Sequence, residues 1–284
     1  MQRIQRTPVT IPDYGTISTA FIGPQNPSPD KPKLILLHAF DSSCLEFRRC
    51  FNSLSQFADV WAVDLIGWGF TDSTSFIDNP DKALGPEQKR QHLLAFIQTV
   101  IQIDKVVLLG TSLGGAVCLD FSLAHPDMID KLILVDAQGF IDGVGPLSSL
   151  PRILAVLGVR VLRSIALRSF ANNVAYVDKD KLATDDAMRV GRLHTHLPGW
   201  EEANVAFMKS GGYSLSRRMG DIGGKETLVV WGRQDNVLDP GTAQKFMDVL
   251  PNAKLKWIEE CGHFPALEQP EQLVKVVEEF LCMH

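Results

Sequence analysis

The chain has 284 residues and a formal net charge of −5 at pH 7, with 45% hydrophobic and 21% charged residues. That length suits one large domain or a core carrying an insertion, and the acidic balance excludes nucleic acid as the main partner, because phosphate binding needs a basic excess. The five cysteines, Cys44, Cys50, Cys118, Cys261 and Cys282, are scattered and form no CxxC, which argues against a disulfide framework and for a reducing, cytoplasmic setting.

In chain order, the opening MQRIQRTPVTIPDYG lacks the apolar run of a signal peptide and reads as the start of a hairpin. Residues 3–12 and 16–22 are two short strands turning at Asp13-Tyr14-Gly15. After the proline-rich GPQNPSPDKP come β-rich runs at Lys33–Leu37, Asp59–Val63, Lys105–Leu109, Lys131–Val135, Thr227–Trp231 and Lys254–Ile258. These read as apolar on both faces, the mark of parallel strands covered on both sides. Helical stripes lie between them: Leu93, Phe96, Ile97 and Val100; Ala243, Phe246, Met247 and Leu250, with Asp239 as N-cap and Pro240 at the first helical position; and Leu273, Val276, Val277, Phe280 and Leu281. Strand–helix alternation of this kind predicts an open α/β sheet.

Between Gly139 and about Gly224 the alternation stops, and helix-like patterns with turn breaks predict a helical insertion. From Gly143 to Val177 there is no Asp or Glu, yet Arg152, Arg160, Arg163 and Arg168 are present. Two readings stand: a lid packed on the core with its arginines in water or paired, or a surface that meets an anionic substrate or a membrane. The densest apolar run, 153–162, is too short to span a bilayer and is interrupted by Arg160.

The run VVLLGTSLGGAV, residues 106–117, sets Ser112 in G-x-S-x-G between a strand and a helix. A nucleophilic serine there needs a sharp turn that lifts its hydroxyl clear of the backbone, small neighbours where strand meets helix, and free N–H groups at the helix start. It also needs a base. His92 reads as a solvated residue near a helix start, and His125 as the end of a helix before Pro126. His194 and His196 form an H-x-H with no supporting carboxylate or cysteine cluster, which is a poor metal site. His263 follows the last strand, at the sheet edge where open α/β proteins bind ligands, and is the candidate base.

Asp235 and Asp136 both follow strands and compete as the orienting acid; the order serine, aspartate, histidine expected with this elbow favours Asp235. Asp64 and Glu260 hold similar strand-end places, and Asp64 reads as a structural carboxylate supporting DLIGWGFTD. An oxyanion hole would draw one N–H from Leu113 and a second from the loop LLHAFDSS, at Phe40. Trp200, Phe207 and Tyr213 in the insertion are candidate substrate-pocket walls, with plain lid core as the alternative.

Taken together, LILLHAF, VWAVDLIGWGFTD, LLGTSLGGAV, LILVDAQG, LVVWGRQDNVLDP and CGHFPALEQPEQL resemble the α/β-hydrolase family over nearly the whole chain, in family order and spacing. The resemblance implies the α/β-hydrolase fold, a mostly parallel sheet flanked by helices, with a core of 1–139 and 223–284 and a helical cap at 140–222. It implies the triad Ser112, Asp235 and His263, oxyanion donors Phe40 and Leu113, and no cofactor or metal. One departure is His38-Ala39, where the family often has His-Gly; alanine tolerates positive φ less well, so the loop should differ in shape. Within the family, the serine disfavours epoxide hydrolases and haloalkane dehalogenases, which use aspartate there. Meta-cleavage C–C hydrolases keep the serine triad but usually carry a Gly-Pro-Gly turn that HAFDSSCLEF lacks. The expectation is a carboxylesterase-like serine hydrolase acting on small hydrophobic molecules, with C–C hydrolysis or a ligand-binding receptor as alternatives.

Overall fold

Valine, isoleucine and leucine fill the central strands because both faces of those strands are covered. The computed structural model describes residues 3–12 and 14–282, so Asp13 of the expected first turn lies outside the described residues. The strands are β1 Gln5–Ile11, β2 Gly15–Ile22, β3 Lys33–Leu37, β4 Asp59–Val63, β5 Val106–Thr111, β6 Ile129–Val135, β7 Glu226–Gly232 and β8 Ala253–Ile258. They form one sheet in the order β1-β2-β4-β3-β5-β6-β7-β8. The pairs β1–β2 and β2–β4 are antiparallel and the rest are parallel.

Alternate residues of each central strand serve opposite faces, as the two-residue period requires. Ile35, Leu37, Leu108 and Leu134 pack into one cluster, and Leu34, Leu36, Leu109 and Ile133 into another. Among the described residues, eight helices of at least eight residues accompany the sheet: α1 Pro86–Phe96, α2 Leu113–Ala124, α3 Arg152–Leu162, α4 Ile165–Ala175, α5 Asp185–Arg192, α6 Trp200–Lys209, α7 Gly241–Val249 and α8 Pro270–Cys282. Leu93 and Phe96 of α1, Ala116 and Phe121 of α2, and Phe246 of α7 cover the first face; Leu273, Val277 and Phe280 of α8 cover the second.

Three local expectations change. β8 is an edge strand and alternates: Lys254 and Lys256 are exposed, in keeping with the charged edges that block further pairing. Helix α7 begins at Gly241, one residue later than the capping pattern predicts, although the Asp239 carboxylate does accept from Gly241 N at 2.9 Å. His92 is fully buried, not solvated. Its Nδ1 accepts from Ile66 N at 2.9 Å and its Nε2 lies 2.6 Å from Thr19 Oγ1, so it braces the hairpin and the loop after β4. Burial lowers its pKa to about 3, and it stays neutral.

Between β6 and β7 the described chain contains helices α3–α6 and no strand. Ala155 and Val159 of α3 pack against Trp200, Val205 and Met208 of α6. Among the described residues, no helix is long and apolar enough to cross a membrane, and the five cysteines are free.

Candidate active site

Parallel strands end at one edge of the sheet, and the candidate residues gather there because the connections leave from it. Ser112 follows β5 directly, with φ 52° and ψ −118°. Few non-glycine residues hold such a conformation, so the surroundings must impose it. Ser112 N donates to Val135 O at 3.0 Å, and Ser112 O accepts from Gly115 N and Gln138 N at 2.9 Å. The flanking glycines have steric reasons. A Cβ on Gly110 would stand 2.3 Å from Gly114 O, and one on Gly114 would stand 2.1 Å from Leu37 O. Helix α2 therefore starts in contact with β5 and β3, and the serine side chain is left to the cavity.

His263 and Asp235 lie at the ends of β8 and β7 and are both buried. His263 Nδ1 is 2.8 Å from Asp235 Oδ2. The other carboxylate oxygen of Asp235 accepts from Val237 N at 2.7 Å and Leu238 N at 3.0 Å, which fixes its orientation. The His263 backbone N–H donates to Ala175 O at 2.9 Å, tying the histidine loop to the end of α4. Ser112 and His263 line one cavity of about 340 Å³.

Asp136, the competing acid, is fully buried with φ 42° and accepts from Gly232 N at 2.8 Å. Burial and the charge of Asp235 push its pKa well above the ordinary carboxylate value. Asp235, not Asp136, is the carboxylate within hydrogen-bond distance of His263 Nδ1. Ligand-type atoms of Asp136, Asp235 and His263 lie within 4.8 Å of one another. With His263 Nδ1 already on Asp235, and Asp136 Oδ1 taken by Gly232 N, the trio is better suited to orienting an imidazole than to binding a cation.

Asp64 supports its loop as expected, accepting from Cys44 N at 2.5 Å and Phe70 N at 2.7 Å. Glu260 is exposed and away from this cluster's hydrogen bonds. His194 and His196 do not converge: His194 is buried, with Nε2 3.0 Å from Asp41 Oδ1, whereas His196 is exposed.

Phe40 and Leu113 sit together on the wall of a second, almost wholly apolar cavity of about 430 Å³. Phe40 also lines the first cavity, so it stands between the two. Its ring is held by Trp68 at 6.2 Å and Phe207 at 6.1 Å. Phe207 and Tyr213 line the apolar cavity; Trp200 lines neither cavity. Trp200 is buried against α3, and its Nε1 donates to Asp41 Oδ1 at 2.7 Å.

That contact exposes a residue the sequence reading missed. The left-handed residue of the loop after β3 is Asp41, φ 49°, one residue beyond Phe40 and two beyond Ala39. Aspartate tolerates this region better than alanine, and the loop carries its left-handed residue at Asp41 and not at Ala39. The Asp41 carboxylate accepts from Trp200, meets His194 and forms an ion pair with Arg168, while Arg168 Nη1 also donates to Asp41 O at 3.2 Å. One buried side chain thus ties the loop after β3 to three parts of the segment between β6 and β7. Glu46 was also missed. It is buried on the wall of the first cavity, and its Oε2 accepts from Ala39 N at 3.2 Å. Burial raises its pKa to about 7. No pattern marks either residue, since their partners are remote in sequence or belong to a backbone amide.

A strained serine at a strand-to-helix turn thus shares a cavity with a histidine whose far ring nitrogen is held by a buried aspartate. A family model described as "Alpha/beta hydrolase family" matches residues 34–276, and the chain belongs to that family of hydrolases. It is 38% identical to the Alpha/beta hydrolase domain-containing protein VTE7 of Arabidopsis thaliana, over 98% of this chain and 84% of that one. It is 26% identical to the 2-hydroxy-6-oxo-6-(2'-aminophenyl)hexa-2,4-dienoic acid hydrolase of Metapseudomonas resinovorans, over 83% of this chain and 78% of that one. Among solved structures, a thermophilic esterase from Thermogutta terrifontis shares the fold, with a TM-score of 0.81, 21% identity and 98% of each chain covered.

Proposed function

We propose that this hydrolase cleaves carboxylic esters of small hydrophobic molecules through Ser112, His263 and Asp235 and an acyl-enzyme intermediate. The carrying observation is the strained Ser112 sharing a cavity with His263, whose Nδ1 is held 2.8 Å from Asp235. In this reading His263 Nε2 removes the Ser112 proton as Oγ attacks the acyl carbon. Asp235 holds the Nδ1–H tautomer and stabilises the imidazolium. The amides of Leu113 and Phe40 receive the oxyanion. The imidazolium protonates the leaving alkoxide and the alcohol departs; His263 then deprotonates a water that attacks the acyl carbon, and its imidazolium returns that proton to Ser112 Oγ as the acyl–Oγ bond breaks and the acid leaves.

The apolar cavity beside Leu113 and Phe40, walled by Phe207 and Tyr213, supports a hydrophobic acyl or alcohol group. The helical segment 140–222 then acts as the cap that closes over the substrate. The free cysteines support a reducing, cytoplasmic setting.

Fluorophosphonate labelling with peptide mapping should mark Ser112, and a graded ester series should favour apolar over short polar acyl groups. Labelling elsewhere, or a preference for short polar acyl groups, overturns the reading. Since one relative is a dienoic acid hydrolase, the series should include a meta-cleavage product. Turnover of that compound without turnover of esters would assign C–C hydrolysis to the same residues. Tight ligand binding indifferent to Ser112→Ala, with negligible turnover, would assign a receptor.

A further inference from the structure

Helix α3 has two apolar faces. Ala155 and Val159 are buried against α6. Ile153, Leu157 and Val161 recur every four residues on the other side and are 75%, 51% and 55% exposed. A helix that is apolar all round is ordinarily buried all round. The patch continues onto α4, where Ile165 is 56% and Phe170 65% exposed. Of the eleven exposed large hydrophobic residues among those described, nine lie between Ile141 and Leu193. Clustering of this kind marks an interaction surface, whereas scattered single residues need no explanation.

We propose that the outer face of α3 and α4 docks on the surface of an anionic lipid bilayer. The charge pattern selects the partner. Residues 143–177 contain no acid, in a chain whose net charge is −5. Arg168 is spent on Asp41 inside the protein. Arg152 and Arg160 pair with Asp81 and Glu201 at solvent-exposed positions, and Arg163 lies 5.7 Å from the Trp200 ring. Exposed ion pairs are weak and readily exchange for lipid phosphates. Apolar residues with arginines around them match the pattern of helices that lie in a membrane interface.

A second copy of this face fits poorly, because two-fold contact would set arginines against arginines with no acid from 143–177 to answer them. A protein partner fits less well than lipid. Between Arg152 and Ala171 the uncharged polar side chains are Ser164 and Ser169, which leaves little for directional recognition. The location has a functional sense that rests on the proposed esterase reading. Gly158 and Leu162 of α3 also line the apolar cavity at Leu113 and Phe40, so docking would set that cavity close to the source of an apolar substrate.

The test is flotation of the purified full-length chain with vesicles of phosphatidylglycerol and phosphatidylcholine, against phosphatidylcholine alone. Wild type should float with the anionic vesicles, less so at high salt. The double variant Ile153→Glu/Leu157→Glu should lower the bound fraction at least tenfold while turnover of a soluble butyrate ester is unchanged, which reports an intact fold. Ser112→Ala should bind as wild type does, so failure of the catalytic assignment and failure of docking are separable. Absence of binding, equal binding by the double variant, or equal binding to neutral vesicles would overturn the proposal. So would a dimer that the double variant abolishes in a chain that ignores vesicles, which would give the face to a second copy.

Discussion

The turns after β3 and β5 lie side by side, with Leu37 paired to Gly110, and each carries a non-glycine residue in the left-handed region: Asp41 at φ 49° and Ser112 at φ 52°. They are held by opposite means. The Ser112 turn is locked by its backbone and by the glycines that bring α2 onto the sheet, which leaves its side chain available. The Asp41 turn is locked by its side chain, which Trp200, His194 and Arg168 of the insertion surround. A turn held by backbone can spend its side chain on chemistry. A turn held by its side chain instead couples the loop that supplies the candidate oxyanion donor to the insertion above it.

This contrast predicts opposite mutational profiles. Ser112→Ala should reduce esterase turnover by about 10⁴–10⁶-fold, in line with loss of a serine nucleophile, and leave thermal unfolding nearly unchanged. A large drop in melting temperature would show that the side chain, not the backbone, holds this turn. Asp41→Ala should do the reverse in emphasis. It strands the Arg168 guanidinium and the Trp200 N–H, and breaking a buried charged pair costs about 3–5 kcal/mol in denaturant unfolding. Displacement of the loop should lower turnover by only about 10²-fold. A full-strength loss of activity with unchanged stability would move Asp41 into the chemistry and dissolve the contrast.

Gly114→Ala sharpens the backbone side of the comparison. Its Cβ meets Leu37 O, which cannot move without shifting β3, so destabilisation of about 1–3 kcal/mol is expected by urea unfolding. Glu46→Gln addresses the support beneath the loop after β3 and should act on the pH dependence of stability more than on turnover. In the folded state burial raises the Glu46 pKa from 4.5 to about 7, so the folded protein holds a proton that the unfolded chain releases. That contribution is full below pH 4.5 and is lost as pH rises to about 7. Glutamine keeps an acceptor for Ala39 N and removes the titration. Relative to wild type, its melting temperature should rise across that interval and then level off. A constant difference at all pH values would show that Glu46 does not titrate there.

The sequence by itself determined the elements whose causes are local. Runs of valine, isoleucine and leucine bounded by turn residues located each strand to within a few residues, and their two-sided apolarity required a covered parallel sheet. The exception, β8, alternates as an edge strand does. The G-x-S-x-G between strand and helix, and the strand-end positions of Asp235 and His263, followed from the same reasoning, because a parallel sheet delivers the ends of its strands to one edge. Tertiary structure alone decided the rest. It buried His92 between a hairpin and a loop, since two partners on other elements satisfy both ring nitrogens. It withdrew Trp200 from the pocket walls by giving its indole N–H to Asp41, 159 residues away. It raised the pKa values of Asp136 and Glu46 by burial, a property of the folded surroundings and not of residue type. It also left one face of α3 uncovered, which the periodicity could not foresee, because an apolar stripe shows what a helix can bury but not whether the rest of the chain reaches it.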